Sequence, residues 1–540
     1  MRAEQGGAPV AIATYEAASL YWKSNDAGAC QVHYRPAGES EWREALAPVY
    51  DAKDAEYRGS LVGLSPDHAY EVRLSAGGRT VETTFRTRSD QFPIGRVTIL
   101  PAGELSDPIV IRESGTADAY HLVTVADGTR TTINVANSVP NGIEIDADYV
   151  IVRGIEVRNA AQNGILIHEN RHDVVVEQCR VWHWGRMGGA ASFGNNGGNK
   201  DSGILAVRGN RNLTFQRNLI EYPRGASNDW STGHPYGPQG ITLAHSLGGH
   251  VIRYNEIWSN DAHGFNDGIG GGPNFSDTGN MNRDSDIYGN IIRNVWDDAI
   301  ECEGGNMNVR IWGNFIDKYV IGVAMAATAK GPLYVYRNVF AESRRWFDDP
   351  AGNATFKAQE RDGVGGGPIF IFHNTILQPR GAMNVFNNIS RNTVTRNNIF
   401  DVPGAFFGPH QADPSGDFDY DLFNGIHTSG VKEPNGYRRI FPAYVDSYRH
   451  EYYPASTTIG AGGQHRMMMR INGEDRLITN PVVQKKNPAV DGGVRLPGFN
   501  DDFVGAAPDL GAFELGAPPV EFGRRAYLRY DQGWAPWERY

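Results

Sequence analysis

Asn266-Asp267-Gly268-Ile269-Gly270-Gly271-Gly272-Pro273-Asn274 and Asp297-Asp298-Ala299-Ile300-Glu301-Cys302-Glu303-Gly304-Gly305-Asn306 read as one turn and strand written twice. Asp267 aligns with Asp298, Gly268 with Ala299 and Ile269 with Ile300, an offset of 298 − 267 = 31 residues. Each copy is followed by a matching second strand, Asp286-Ile287-Tyr288-Gly289-Asn290-Ile291-Ile292 and Val309-Arg310-Ile311-Trp312-Gly313-Asn314-Phe315. Strand, turn and strand repeated at this interval describe the coils of a solenoid.

The same signal extends in both directions. Asn218, Asn255, Asn290, Asn314, Asn338, Asn374 and Asn398 each stand before a short apolar step, at intervals of 37, 35, 24, 24, 36 and 24 residues. A base coil of about 24 residues with loop insertions accounts for that series, and a helical period does not. Asparagine suits a tight bend because it tolerates a left-handed backbone and can pair with the asparagine of the next coil. The pattern resembles the right-handed parallel β-helix of the pectate-lyase-like superfamily over about residues 91–520. Asn487-Pro488-Ala489-Val490-Asp491-Gly492-Gly493 and Gly505-Ala506-Ala507-Pro508-Asp509-Leu510-Gly511-Ala512-Phe513-Glu514 resemble the closing segment of secreted β-helix proteins of carbohydrate metabolism. Residues 401–486 lack the ladder and read as irregular chain over the helix end, and 521–540 as a C-terminal tail.

Residues 1–90 read as a separate small β-sandwich, a spacer or cap for the solenoid, so the fold class is all-β. Its short alternating runs, such as Cys30-Gln31-Val32-His33-Tyr34, are bounded by turn residues. Leu64 to Leu74, with Tyr70, resembles the tyrosine corner of fibronectin type III domains, with Trp22 as the core indole.

The composition narrows the function. Fifty-one basic against 62 acidic residues argue against a nucleic-acid partner, which favours clustered basic surface. No run of about 18 apolar residues offers a membrane span, and the N-terminus lacks a signal-peptide core. The expected location is secreted or periplasmic with the signal trimmed, or cytoplasmic. Cys30, Cys179 and Cys302 are too few and too scattered for a disulfide framework or zinc spacing.

The candidate site follows from strand alternation. Ile300 and Cys302 belong inside, so Glu301 and Glu303 should face solvent. The column preceding each first strand reads Asn141, Asn163, Ser202, Gln239, Asp267, Asp298, Ile321, acidic at only two successive coils. Coils about 4.8 Å apart bring those two carboxylates to roughly 5 Å, where like charges push pKa values apart. The outward positions on the coil before Glu301 and Glu303 are Gly270 and Gly272, which leave an open floor beside the acids. The longest insertions separate Trp184 from Ser202, Glu221 from Gln239 and Gly272 from Asp284, and carry aromatic residues suited to sugar faces.

Three functions compete. Glycoside hydrolysis needs two carboxyls flanking the scissile bond, about 5 to 5.5 Å apart for retention or 6.5 to 9.5 Å for inversion. Asp298 is the candidate nucleophile or base and Glu301 the acid, with Asp267, Asp297 and Glu303 in support. His245, Trp230, Trp296, Arg310 and Lys200 are the candidate substrate contacts, together with Gly270 and Gly271. This is the leading reading, on a polysaccharide or oligosaccharide, with no cofactor required. The second is a polysaccharide lyase on a uronic-acid polymer. The family resemblance implies calcium with a Lys or Arg base for several β-helix lyases; Lys200, His245, Arg310 and Lys318 are candidate bases or neutralisers, and the acids could hold calcium. The third is a non-catalytic glycan-binding solenoid. The aspartates also resemble those of polygalacturonase-like hydrolases, but no Gly-His-Gly or Arg-Ile-Lys follows them.

Overall fold

The computed structural model describes residues 7–187, 201–230, 233–341, 343, 354–358, 360, 363–377, 381–385, 391–402, 405–407, 413–425, 432–438, 440, 454–456, 468–471, 474–477, 487–518, 520–528 and 535–538. Among these residues helix is confined to two three-residue 3-10 turns, Asp261–His263 and Pro536–Glu538, and to Trp230, which has 3-10 conformation.

Residues 94–438 wind into a right-handed parallel β-helix of three long sheets. One coil shows the plan: Asp286–Tyr288 in the first sheet, Ile291–Arg293 in the second, Asp298–Glu301 in the third, then Val309–Trp312 back in the first. Corresponding strands of successive coils pair in parallel, as Ile287 with Ile311 and Ile292 with Ile316. One side chain of every pair of neighbours points inward, so Ile287, Ile292, Ile300, Cys302 and Ile311 are fully buried in one continuous core. The other points outward, where rings stack between coils, Tyr288 on Trp312 at 4.2 Å and 7° and Trp312 on Tyr336 at 5.9 Å and 13°.

The asparagine ladder lies at the corner between the first and second sheets. Asn290 donates to Asn314 Oδ1 from both its backbone N (3.0 Å) and Nδ2 (2.9 Å), and Asn314 repeats this with Asn338. Its conformational basis differs from the expectation. The left-handed residue is the one before each asparagine, Arg217, Tyr254, Gly289, Gly313, Arg337, His373 and Asn397, with φ between 52° and 65°. The asparagine itself supplies the amide, which no other short side chain offers as both donor and acceptor. The ladder also runs past its last asparagine: Asp421 Oδ1 accepts from Asn398 N at 2.7 Å and Nδ2 at 2.8 Å. Strands 417–419, 422–423 and 437–438 continue the first and second sheets beyond residue 401, so that stretch is further coil and not irregular chain. The expected irregular cover over 441–453 and 478–486 lies outside the described residues.

The N-terminal unit is a sandwich of two four-stranded antiparallel sheets spanning residues 10–86. Trp22 is buried in its core, and Ser65 N donates to Tyr70 Oη at 2.9 Å. It lies along the flank of the solenoid, on the outer face of the first sheet, where Ala17 and Val62 pack with Tyr334, Tyr336, Phe370 and Phe372. The chain after residue 487 runs back along the second sheet, burying Ala489, Leu510 and Phe513 against Phe315, Val339 and Leu422. The stretch read as a tail is packed too, with Trp537 Nε1 donating to the Gln178 carbonyl at 2.8 Å.

Candidate active site

The outer face of the third sheet carries the acids. Register confirms the column: Asn141 pairs with Asn163, Ser202 with Gln239, and Asp298 with Ile321. One oxygen from each of Asp267, Asp297 and Asp298 converges within 4.8 Å. Asp267 Oδ1 accepts from Asp298 N at 3.1 Å and from Asn266 Nδ2 at 3.1 Å, and Gln239 Nε2 donates to its Oδ2. Glu301 Oε2 accepts from Gly271 N at 3.1 Å, and Oε1 from Asn274 Nδ2 at 2.7 Å.

Glu301 and Glu303 point out of the coil, as alternation requires, but they do not face open solvent: they are 5% and 1% exposed. Side chains from inserted turns and later coils cover them, Asn274 over Glu301 and Lys357 over Glu303. Lys357 Nζ stands 2.8 Å from both Asp298 Oδ2 and Glu303 Oε1. It belongs to the same outward column, which runs Gly270, Glu301, Ala324, Lys357. The small Ala324 leaves the lysine room to reach back over one coil.

Burial governs the titration of these groups. Burial first, then the Asp298 charge, pushes Asp297 well above the aspartate range. Asp298 is raised by burial and partly drawn back by Lys357, and burial pushes Glu303 up to about 8. For Lys357 burial acts downward, but Asp298 and Glu303 outweigh it and hold the ammonium charged. Asp297 Oδ1 and Asp298 Oδ1 are buried with no hydrogen-bond partner among the described residues. Uncompensated buried carboxylate oxygens are costly, and a site with several of them fits a hard cation with oxygen ligands.

The other expected site residues divide. Gly270 lies against the acids, where an added Cβ would sit 3.0 Å from Glu301 Oε2. Trp230 and Trp296 are half-buried against Val320, Ile321, Ala324 and Ala354, the apolar continuation of the acid column. His245 is exposed on the turn after Gln239–Ala244, its backbone N bonded to the Gly272 carbonyl at 2.8 Å. Lys200 lies outside the described residues.

Arg310 is not a substrate contact. It is fully buried, its guanidinium bridging Asp286 (2.6 and 3.1 Å) to Ser19 (3.0 Å) and Ser60 (3.1 Å) of the sandwich. Its column does point outward, but on the first sheet, whose outer face the sandwich covers. The site also contains residues the sequence reading missed. Lys357 sits beyond the insertion that lengthens the 338 to 374 interval, and only strand register places it in the Glu301 column. His234 packs at a tilt between Trp230 (4.8 Å, 55°) and Tyr236 (5.3 Å, 40°), with Nε2 3.6 Å from Asp297 Oδ2.

No family model and no curated protein sequence matches this chain. Among solved structures it is similar to the pectate lyase Pel9A, at 14% identity and a TM-score of 0.41 over 79% of this chain and 91% of that one. A GH87 α-1,3-glucanase catalytic unit from Streptomyces thermodiastaticus strain HF3-3 aligns at 13% identity and 0.41, over 78% and 83%. A family 28 exopolygalacturonase of Yersinia enterocolitica aligns at 11% and 0.20, over 79% and 99%. Similarity at this level shows no chemistry, which rests on the acid cluster itself.

Proposed function

We propose that the protein is a carbohydrate-active enzyme, a polysaccharide lyase that cleaves a uronic-acid polymer by β-elimination in the groove of the third sheet. The observation that carries this reading is the convergence of Asp267, Asp297 and Asp298 within 4.8 Å, with two partnerless oxygens, directly beside Lys357. Three carboxylates packed this closely repel one another and would repel an acidic sugar. They fit a divalent cation, and an all-oxygen donor set favours calcium.

Asp267, Asp297 and Asp298 would hold the cation, with Glu301 beside them. When bound, it would neutralise the acids and the sugar carboxylate and so draw the Lys357 amine toward its uncharged form. Lys357 then takes the proton from the carbon next to the carboxylate, the electron pair forms the double bond, and the glycosidic C–O bond breaks, its oxygen leaving with a proton from water. Glu301 is held by Gly271 and Asn274, and the missing side chain at Gly270 lets the Glu301 and Asp267 carboxylates close in on the strand. Trp230 and Trp296 offer ring faces at the apolar end of the groove. A secreted or periplasmic location is where such a polymer would be met.

A glycoside hydrolase using Asp298 and the neighbouring glutamates is the second reading. Glu303, pushed up to about 8 by burial and lying beside Asp298, favours it, since it keeps a proton donor within the acid cluster. Product analysis separates the two. Unsaturated uronides seen by ultraviolet absorbance, lost in chelator and restored by calcium, are the expected result. Reducing ends released without new absorbance, and indifferent to chelator, would replace the lyase by the hydrolase.

A further inference from the structure

A chain of three hydrogen bonds reaches the acid cluster from the coils before it, and its direction is set by the groups that form it. Gln239 Nε2 donates to Asp267 Oδ2, Thr242 Oγ1 donates to Gln239 Oε1 at 2.5 Å, and Ser202 Oγ lies 2.7 Å from Thr242 Oγ1. A carboxylate oxygen accepts, so the Gln239 amide turns its NH2 to Asp267 and its carbonyl to Thr242. Thr242 has a single hydroxyl proton, which that carbonyl takes, and so Ser202 is the donor in the last contact.

The sequence puts these groups in the coils that lead to the acids. Ser202 pairs with Gln239, and Leu205 with Thr242, across neighbouring strands. The outward position that Thr242 fills is leucine in the two coils before it, Leu166 and Leu205, and becomes a hydroxyl in the coil whose next neighbour is Gly270. All three polar side chains are buried, where each needs a partner. Within the trio the effect is unequal. Asp267 receives three donated bonds, from Asp298 N, Asn266 Nδ2 and Gln239 Nε2. Asp297 and Asp298 each keep an oxygen with no hydrogen-bond partner among the described residues.

We propose that Ser202, Thr242 and Gln239 are positioning residues for the cation: the relay locks the Gln239 amide, and the amide holds Asp267 as the fixed ligand against which Asp297 and Asp298 close. The proposal rests on the reading of the acids as a calcium site. Without the Thr242 hydroxyl the amide is free to turn its carbonyl toward Asp267 Oδ2, where two acceptors oppose each other and the carboxylate swings away from the cation.

The test is calcium titration by calorimetry, beside thermal melts in chelator, of the wild type, Thr242→Val, Thr242→Ser and Gln239→Met. Asn218→Ala is the control. Asn218 belongs to the Ser202 coil but lies on the ladder, bonded to Asn255 and Val176, so its loss loosens the coil without touching the relay. The expected result is calcium affinity weakened about 10- to 100-fold in Thr242→Val and Gln239→Met, the usual effect of removing a ligand's outer partner. Thr242→Ser, which keeps the hydroxyl, should recover it, and Asn218→Ala should bind as the wild type does despite a lower melt. Unchanged affinity in Thr242→Val, no recovery in Thr242→Ser, or a loss in Asn218→Ala as large as that in Thr242→Val would each overturn the proposal. Failure of the groove reading shows separately. Calcium binding that depends on Thr242, with no unsaturated product, removes only the lyase step and upholds the relay; a wild type that binds no calcium overturns the cation and the relay together.

Discussion

Lys357 allows a test that separates base from brace. It stands two coils beyond Glu301 and one beyond Ala324, and coils lie about 4.8 Å apart. From there its ammonium contacts Asp298 and Glu303 at 2.8 Å each. Lys357→Met keeps the stem and removes the charge, leaving two buried carboxyls without a counter-charge. Breaking a buried pair costs about 3–5 kcal/mol if the partners stay ionised; here Asp298 and Glu303 can take up protons instead, because burial already raises both. The variant should therefore fold with a moderate loss of thermal stability and cleave about 100- to 10,000-fold more slowly, the usual contribution of a positioned base. Lys357→Arg is the decisive companion. Arginine restores the ion pairs but cannot give up its proton, so it should recover stability and not turnover. The assay is initial rate by ultraviolet absorbance on an acidic polysaccharide with calcium, beside thermal melts of all three proteins. An arginine variant within tenfold of wild type would refute the base assignment and leave Lys357 as a brace for the acids.

Gly270→Ala should place a methyl 3.0 Å from Glu301 Oε2 and 3.3 Å from Asp267 Oδ2, lowering calcium affinity and turnover at least tenfold with the melt little changed; calcium titration by calorimetry checks it. Asn314→Ala removes three donated bonds, to Ile287 O, Trp312 O and Asn338 Oδ1, and two accepted from Asn290. At about 1–3 kcal/mol for each buried group left unsatisfied, the change should cost on the order of 3–5 kcal/mol, read by thermal denaturation. Burial pushes Asp421 up to about 7, so its contribution to stability is complete below about pH 4, the ordinary aspartate value, and lost as pH rises through 7, by up to about 1.4 kcal/mol per unit. Asp421→Asn continues the ladder with a neutral amide and should flatten that part of the melting-temperature profile.

The solenoid was legible because its defining residues are local. A ladder amide needs a bend of fixed length, so the asparagines repeat visibly, and the inward strand positions must be apolar. The acids were legible for the same reason: Asp267 and Asp298 stand at equivalent places in adjacent coils. Their surroundings were not. Alternation divides inside from outside but says nothing of what lies over the outside, and so Arg310 read as exposed when a sandwich 250 residues earlier in the chain covers it, Ser60 lying 3.1 Å away. Lys357 was hidden because an insertion between residues 341 and 354 breaks the spacing on which its column depends. Asp421 was passed over because the ladder was sought as asparagine, whereas one carboxylate oxygen can accept both bonds.

Where the chain varies explains where a site can form. From Val150–Arg153 to Asp417–Asp419, every strand of the first sheet is separated from the next strand of the second by two residues, the left-handed one and the ladder position. Ten such corners keep one length, since a ladder bond made within about 3 Å allows no added residue. At the corner before the third sheet the coil-to-coil bonds are only short runs, Asn141 to Asn163 to Ser202 and Asp267 to Asp298, and they do not fix the length of the chain between the strands. Between Glu221 and Gln239 and between Gly272 and Asp286 the two corners that flank the third sheet take in long turns, and these deliver His234 to Asp297 and Asn274 to Glu301. The groove thus lies on the one sheet bounded by two corners of free length, held in register by a third corner that cannot change. An Asn314 variant should therefore disturb the acids only by loosening the stack, whereas turn variants at His234 or Asn274 should change activity with the melt unaltered.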